Sequence, residues 1–150
     1  MDSNKARALI RGGKKFPNIM GTVMFNQTSV GVLVTCEVSG LPTKDDRCGS
    51  GFFAFHLHEG TSCTGNEADE FADAKMHFNP SDCPHPYHEG DFPQLLSNGG
   101  FAYLQFITER INVEEIIGRT VIIHYGSDDF VSQPSGNAGE KIACGVIEKL

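Results

Sequence analysis

The sequence predicts an all-β domain built from short strands and tight turns. Seventeen of its 150 residues are glycine, and the apolar residues lean towards valine, isoleucine and phenylalanine, a composition typical of strands joined by turns. A chain of this length fits a single domain, residues 1–150, that buries on the order of 70% of its unfolded surface. A metal ion is therefore not needed merely to complete a core.

Six apolar runs, alternating or continuous and bounded by turn residues, predict strands. They cover residues 21–27, 30–38, 52–58, 101–108, 120–124 and 143–147. The Ser-Asn-Gly-Gly run at 97–100 predicts a tight turn, because asparagine and glycine accept positive φ. Residues 67–74 and 113–117 each predict a helical turn, and residues 1–18 a flexible or edge segment.

Two long stretches carry no apolar periodicity, residues 59–95 and 125–141. The first is rich in Cys, His, Pro, Asp and Gly and is far longer than a connection needs, which indicates a functional role. Two long loops on a small β body predict one site between them.

The formal charge of −7 and the pI near 5.2 argue against binding to nucleic acid or to an anionic membrane, since both favour basic surfaces. No run reaches the roughly 18 apolar residues of a membrane span. The first dozen residues lack the apolar core of a secretory signal, so the sequence as written predicts a cytoplasmic protein. Export followed by removal of a signal is the alternative.

Two histidines, His56 and His58, lie two residues apart on a predicted strand, so both side chains project from one face and can share a metal ion. Taken alone, the pair also fits two surface histidines. His124 ends another predicted strand, where a lone histidine is usually structural.

Three more histidines and an aspartate follow within one loop stiffened by prolines: His77, His85, His88 and Asp91. Three imidazoles and a carboxylate form a natural tetrahedral set for zinc. A polar, solvated loop that happens to be rich in histidine is the alternative.

The order of these motifs resembles the copper-zinc superoxide dismutase family over roughly residues 20 to 148. The matching segments are Phe-His-Leu-His-Glu at 55–59, His-Phe-Asn-Pro at 77–80, His-Glu-Gly-Asp at 88–91, the strand 118–124, Asp-Asp at 128–129, Gly-Asn-Ala-Gly at 136–139 and Ala-Cys-Gly-Val-Ile at 143–147.

The resemblance implies an eight-stranded antiparallel Greek-key sandwich or flattened barrel with two long metal-site loops, two strands more than the residue patterns show. It also implies two metal sites that share His77. Copper would bind His56, His58, His77 and His124, and zinc would bind His77, His85, His88 and Asp91. Alternation with the ligands predicts core positions at Val23, Val32, Val34, Phe55, Leu57, Val121, Ile123 and Val146.

The resemblance also implies a residue that orients the ligands. In the family, an aspartate after the last copper histidine hydrogen-bonds one ligand from each metal. Asp128 matches it, with His56 and His85 as expected partners, although Asp128 also fits a turn cap.

The family's intrachain disulfide matches Cys63 and Cys144, worth roughly 2–4 kcal/mol in the chain-entropy account. Such a bond is rare in the cytosol, which stands in tension with the predicted location. Cys48 and Cys83 fit either a second bridge or free thiols, and Cys36 fits a small buried apolar residue.

The activity that the resemblance implies is the disproportionation of superoxide to oxygen and hydrogen peroxide by a redox-cycling copper beside a structural zinc. His77 would carry a proton and Lys141 would guide the anion. Lys141 stands where the family usually has arginine, and lysine lacks the planar fork of donors. The stretch from His77 to Asp91 and the loop after His124 are both shorter than usual, so we expect a reduced, salt-sensitive rate.

Two other functions compete with the enzyme hypothesis. A copper-buffering or metallochaperone module would keep the ligands without efficient turnover. A zinc-only structural protein would leave His56, His58 and His124 unexplained. The family includes monomers and dimers, so a homodimer is one of the states that the resemblance allows.

Overall fold

The computed structural model describes residues 4–44 and 51–150. Nine strands form its framework: β1 (Lys5–Gly12), β2 (Met20–Thr28), β3 (Gly31–Ser39), β4 (Phe52–Phe53), β5 (Phe55–His58), β6 (Leu95–Leu96), β7 (Ala102–Thr108), β8 (Thr120–His124) and β9 (Lys141–Lys149). Helix is limited to a 3-10 turn at Ala72–Ala74 and one α-helical turn, α1, at Val113–Ile116. Both helical turns fall within the predicted segments. In the described residues, no helix is long and apolar enough to cross a membrane.

Seven of the strands form one antiparallel sheet in the order β5-β8-β9-β1-β2-β3-β7, and β4 pairs with β6 in a separate two-stranded sheet. The chain passes from β3, the strand next to one end of the large sheet, to β5 at the opposite end, returns to the terminal strand β7 beside β3, and crosses again to β8 beside β5. These crossings are of the Greek-key kind. The predicted all-β antiparallel class is confirmed.

The strand predicted at 52–58 is broken at Ala54. The Ala54 amide donates to the carbonyl of Gly126 at 2.8 Å, and its own carbonyl accepts from His124 at 2.9 Å. This leaves Phe52–Phe53 to pair with β6 while Phe55–His58 pairs with β8. With β4 and β5 counted as the one predicted strand, the described residues contain eight strands, of which β1 and β6 were missed by the residue patterns.

The expectation that residues 1–18 are a flexible or edge segment is wrong for Lys5–Gly12. Strand β1 pairs with β2 on one side and β9 on the other, which makes it a central strand. Its inward residues Ala6, Ala8 and Ile10 are fully buried. Because two of these inward residues are alanines and three charged residues interrupt the strand, β1 has few of the large apolar side chains by which the other strands were predicted.

Phe92 brings the two ends of the large sheet together. Its ring lies 5.4 Å from that of Phe55 on β5 and 5.1 Å from that of Phe106 on β7, the two terminal strands of the sheet order. Only 2% of Phe92 is exposed. The sheet therefore curls around a core that Phe92 closes, directly after the predicted ligand Asp91.

The predicted core positions are confirmed with one exception. Seven of them are fully buried: Val23, Val32, Val34, Phe55, Leu57, Val121 and Ile123. Val146 is only half-buried, whereas its neighbour Ile147 is 1% exposed. Adjacent residues of a strand face opposite sides, and because both residues are large and aliphatic, the sequence pattern did not distinguish the inward one.

Candidate metal centre

Strand β5 carries its histidines on the face opposite the core. Phe55 and Leu57 point inward, so His56 and His58 point outward, yet they are only 0% and 2% exposed because the long loops cover them. Isolated β-bridges join His56 to Asp91 and His58 to His77. These bridges hold the loop in register with β5 and place its side chains beside the strand histidines.

Two groups of four side chains each bring their ligand atoms within 4.8 Å of one another. The first group is His56, His58, His77 and His124. The second group is His77, His85, His88 and Asp91. His77 belongs to both, and the groups match the two ligand sets that the sequence predicts.

In the first group, hydrogen bonds to the outer ring nitrogens determine where the lone pairs point. His58 Nδ1 donates to the Lys75 carbonyl at 2.9 Å, and His124 Nδ1 donates to the Gly139 carbonyl at 3.1 Å. A carbonyl only accepts, so both rings carry their hydrogen on Nδ1 and a lone pair on Nε2. The two Nε2 atoms lie 3.3 Å apart. Two facing lone pairs repel each other, and a cation between them removes that repulsion.

Unpartnered nitrogens complete this pocket. Among the described residues, the buried atoms His56 Nδ1 and His77 Nε2 have no hydrogen-bond partner. A buried polar atom without a partner is costly, which favours a ligand that the side chains alone do not supply. The donor set therefore fits a metal ion that prefers imidazole, such as copper.

The second group surrounds the carboxylate of Asp91. Its oxygens lie 2.8 Å from His77 Nδ1, 3.0 Å from His85 Nδ1 and 3.2 Å from His88 Nδ1. His85 Nδ1 is close to the carboxylate but makes no hydrogen bond within the described part of the chain. Three imidazole nitrogens and one carboxylate around a common point fit tetrahedral zinc.

Asp128 contacts one histidine of each group, in both cases at the ring Nε2. One carboxylate oxygen contacts His56 Nε2 at 2.7 Å and the other contacts His85 Nε2 at 2.8 Å, so the contacts expected from the sequence are present. The side chain is completely buried. Asp128 also accepts a hydrogen bond from the Phe130 amide at 2.8 Å. The same carboxylate therefore caps the turn and contacts the two histidines.

Burial keeps the strand histidines neutral when no metal is bound. It lowers the pKa of His56 and His58 well below the ordinary value, and the neighbouring histidines lower it further. Burial also lowers the pKa of His124 to about 4, although its hydrogen bond to Gly139 acts in the opposite direction. Neutral imidazoles are the form that binds metals.

A disulfide joins Cys63 to Cys144, as predicted, and links the first long loop to β9. Cys144 packs in a small apolar cluster with Phe71, Ala74 and Ile122. Cys36 is buried, as predicted for a small apolar residue, and burial raises the pKa of its thiol to about 12. Cys83 is a free thiol, and Cys48, the other half of the suggested second bridge, lies outside the described residues.

Lys141 lies beside the first group but is already paired. It is opposite His124 in the pairing of β8 with β9, and its Nζ donates to Asp69 Oδ2 at 2.6 Å. Sequence reasoning missed Asp69, because a single acidic residue in a polar loop belongs to no motif. It likewise missed the carbonyls of Lys75 and Gly139. Every residue has a backbone carbonyl, so the sequence does not show which carbonyls contact the histidines.

Comparison with known proteins agrees with this geometry. The family model described as copper/zinc superoxide dismutase (SODC) matches residues 19–147. This chain belongs to the copper/zinc superoxide dismutase family. The match includes both ligand groups, Asp128, Lys141 and the two bonded cysteines.

Two bacterial members of the family illustrate the similarity. Superoxide dismutase [Cu-Zn] 1 of Aquifex aeolicus is 34% identical, covering 86% of this chain and 80% of that protein. The superoxide dismutase [Cu-Zn] of Deinococcus radiodurans is 31% identical, covering 88% and 79%. The Cu/Zn superoxide dismutase structure from Brucella abortus aligns with a TM-score of 0.78 and 24% identity, over 96% of this chain and 99% of that one, and supports the fold.

Proposed function

We propose that this protein catalyses the disproportionation of superoxide, in which two superoxide anions and two protons give one oxygen and one hydrogen peroxide. The group of His56, His58, His77 and His124 holds copper, and the group of His77, His85, His88 and Asp91 holds zinc. The observation that carries the proposal is that His77 presents one ring nitrogen to each group, Nδ1 beside Asp91 and the unpartnered Nε2 towards the strand histidines.

The side chains of this pocket hold and orient a metal without themselves supplying electrons. Copper bound there supplies one-electron chemistry, whereas zinc has a single oxidation state and a structural and electrostatic role. Asp128 fixes His56 and His85, and the Lys75 and Gly139 carbonyls fix His58 and His124. Three of the four imidazoles in the first group are thus held by a contact at the ring nitrogen that does not face the pocket. These contacts limit the rearrangement of ligands during turnover.

His77 Nε2 is the atom of this chain that best fits proton delivery. It is buried, it has no hydrogen-bond partner among the described residues, and its ring belongs to the group of histidines that would hold copper. The contact of His77 Nδ1 with Asp91 at 2.8 Å holds the ring in place while Nε2 gains or loses its proton.

Lys141 fits the role of an anion guide, since it lies next to His124 across the β8–β9 pair and carries a positive charge. Its lack of a planar guanidinium supports the expectation of a reduced rate, because lysine offers no pair of parallel donors to a diatomic anion. Lys141→Arg should raise the rate and change its dependence on ionic strength. An unchanged rate and salt dependence would remove Lys141 from this role.

Metal analysis followed by a superoxide assay tests the proposal. Protein purified without added metal is analysed for copper and zinc, loaded with one equivalent of each, and assayed by pulse radiolysis. Dismutation that rises in proportion to bound copper supports the enzyme. Stoichiometric copper without turnover would instead indicate a copper-buffering or metallochaperone module, and uptake of zinc alone a structural protein.

The homodimer and the cytoplasmic location stay predictions from the sequence. Sedimentation velocity of the metal-loaded protein tests the first. Fractionation of the source cells tests the second.

A further inference from the structure

We propose that Asp69 neutralises Lys141 beside the copper ligands and thereby lowers the rate at which anions reach the metal. This inference rests on the proposed function, because it concerns access to the same site. It identifies Asp69 as a positioning residue, which acts through the ammonium group of Lys141 and not on the reacting atoms.

The two charged groups form a close and partly shielded pair. Lys141 Nζ lies 2.6 Å from Asp69 Oδ2, and the side chains are 15% and 40% exposed. An ammonium group held by a carboxylate has fewer free donors for an incoming anion, and its field at a distance is largely cancelled. Burial acts to raise the pKa of Asp69, but the hydrogen bonds from Lys141 and the Phe71 amide, together with the positive charge of Lys141, lower it, so Asp69 is charged at neutral pH.

The carboxylate of Asp69 is held in position by its own loop. Its second oxygen accepts a hydrogen bond from the Phe71 amide at 3.0 Å. The Asp69 amide donates to Asn66 Oδ1 at 2.9 Å, and the Asp69 carbonyl accepts from the Asn66 amide at 2.9 Å. Three local contacts therefore fix the backbone and one oxygen, which leaves the other oxygen directed at Lys141.

The loop itself is attached to the barrel by the two residues that follow Asp69. The Lys14 amide donates one bifurcated hydrogen bond to the two carboxylate oxygens of Glu70, at 2.8 and 3.0 Å. Phe71 is buried in the small cluster that includes Cys144 of the disulfide. Because these anchors lie next to Asp69 in sequence, thermal motion of the loop does not readily separate the ion pair.

The ion pair lines a surface cavity of about 550 Å³ between this loop and the turn after β1. Four acidic and three basic side chains line this cavity, so its net charge is unfavourable for an anion. Lys15, another of the basic residues, is itself paired with Glu140 at 3.0 Å. Removal of the Asp69 charge therefore changes the field that a superoxide anion meets near Lys141.

The test compares Asp69→Asn with the matched control Glu67→Gln in the full-length protein loaded with copper and zinc. Asparagine retains an oxygen for the Phe71 amide, and Glu67 is an acidic residue of the same loop and cavity that makes no ion pair with Lys141 within the described part of the chain. Two quantities are measured: the rate of superoxide dismutation as a function of ionic strength, and the affinity of the bound copper for azide by optical titration.

We expect Asp69→Asn to raise both the dismutation rate and the azide affinity about threefold or more at low salt, and the gain to shrink as salt increases. Glu67→Gln should change each by less than half as much. In a Lys141→Met background, the gain from Asp69→Asn should fall to that of the control, because no ammonium is left to be released.

Equal effects of the two substitutions would overturn the inference, as would an undiminished gain in the Lys141→Met background. The azide titration separates this inference from the proposed function. If Asp69→Asn tightens azide binding in a protein that binds copper but does not turn over superoxide, the neutralisation of Lys141 stands and the dismutase proposal fails. If turnover is present but neither quantity responds to Asp69→Asn, the dismutase proposal stands and the neutralisation of Lys141 fails.

Discussion

The Nε2 atoms of His58 and His124 face each other at 3.3 Å, while the Nδ1 atom of each ring donates to a backbone carbonyl. Neither ring is free to turn away, because rotation would break its hydrogen bond inside a buried pocket. Protonation of one ring would relieve the repulsion between the lone pairs, but burial opposes the charged form. The pair is therefore organised for a cation before any cation binds.

Acid should destabilise the metal-free protein in a defined pH range. The pKa values of His56, His58 and His124 lie below 6.5 in the folded state, that of His124 at about 4. As the pH falls, the unfolded chain takes up protons first, so the free energy of unfolding decreases from about pH 6.5 down towards pH 4. Each such histidine contributes about 1.4 kcal/mol per pH unit within the range. Urea unfolding between pH 4.5 and 7.5 measures it, and a pH-independent free energy would contradict the prediction.

Asp128→Asn should weaken binding of both metals. The Nε2 atoms of His56 and His85 need an acceptor, and an amide nitrogen in place of one carboxylate oxygen offers a donor instead. We expect a loss of about 10- to 100-fold in affinity for each metal, measured by competition with a chelator. The control is Asp129→Asn, which removes a fully exposed neighbouring charge that contacts loop amides and Ser132. Similar losses in both variants would argue for a general effect of loop charge.

Gly136→Ala should disturb Asp128 and thereby the metal centre. A Cβ atom at Gly136 would overlap Asp128 Oδ1 and lie 2.6 Å from His85 Nε2, and φ of +71° is also strained for alanine. Gly99 supplies the control, with φ of +61° and nothing within 4 Å of an added Cβ. Gly99→Ala should lower the free energy of unfolding by about 1–2 kcal/mol without affecting the metals. Gly136→Ala should lower it further and reduce zinc affinity, as followed by denaturation and chelator competition.

Loss of the disulfide should lower stability and loosen the first loop. The bond closes a separation of 81 residues, so the chain-entropy account predicts a loss of about 4 kcal/mol in the Cys63→Ser, Cys144→Ser double variant. Hydrogen exchange should show faster opening of the amides of Phe71 and Ala74, which share the apolar cluster of Cys144. Cys83→Ser, which removes a free thiol, is the control. Unchanged exchange at Phe71 and Ala74 would show that the loop is anchored by other contacts.

Much of the fold was predictable because large β-branched and aromatic residues alternate along most strands. Strand β1 escaped this pattern, since two of its inward residues are alanines, and β6 escaped it because two residues are too few to show a period. The break at Ala54 depends on hydrogen bonds to Gly126 and His124, which are distant in the chain. Local sequence carries no information about such partners.

The sequence by itself predicted the candidate metal ligands of this protein. Imidazole and carboxylate are the groups that copper and zinc accept, and the spacing of His56, His58, His77, His85, His88, Asp91 and His124 reflects the strand and loop geometry that presents them. Only the tertiary structure decided how the charges around these ligands are paired. Asp69 and Lys141 are 72 residues apart. The loop contains several acidic residues, and each of them has the carboxylate that an ion pair with the lysine requires. Contacts of the next two residues, Glu70 with Lys14 and Phe71 with the apolar cluster of Cys144, place Asp69 beside the lysine.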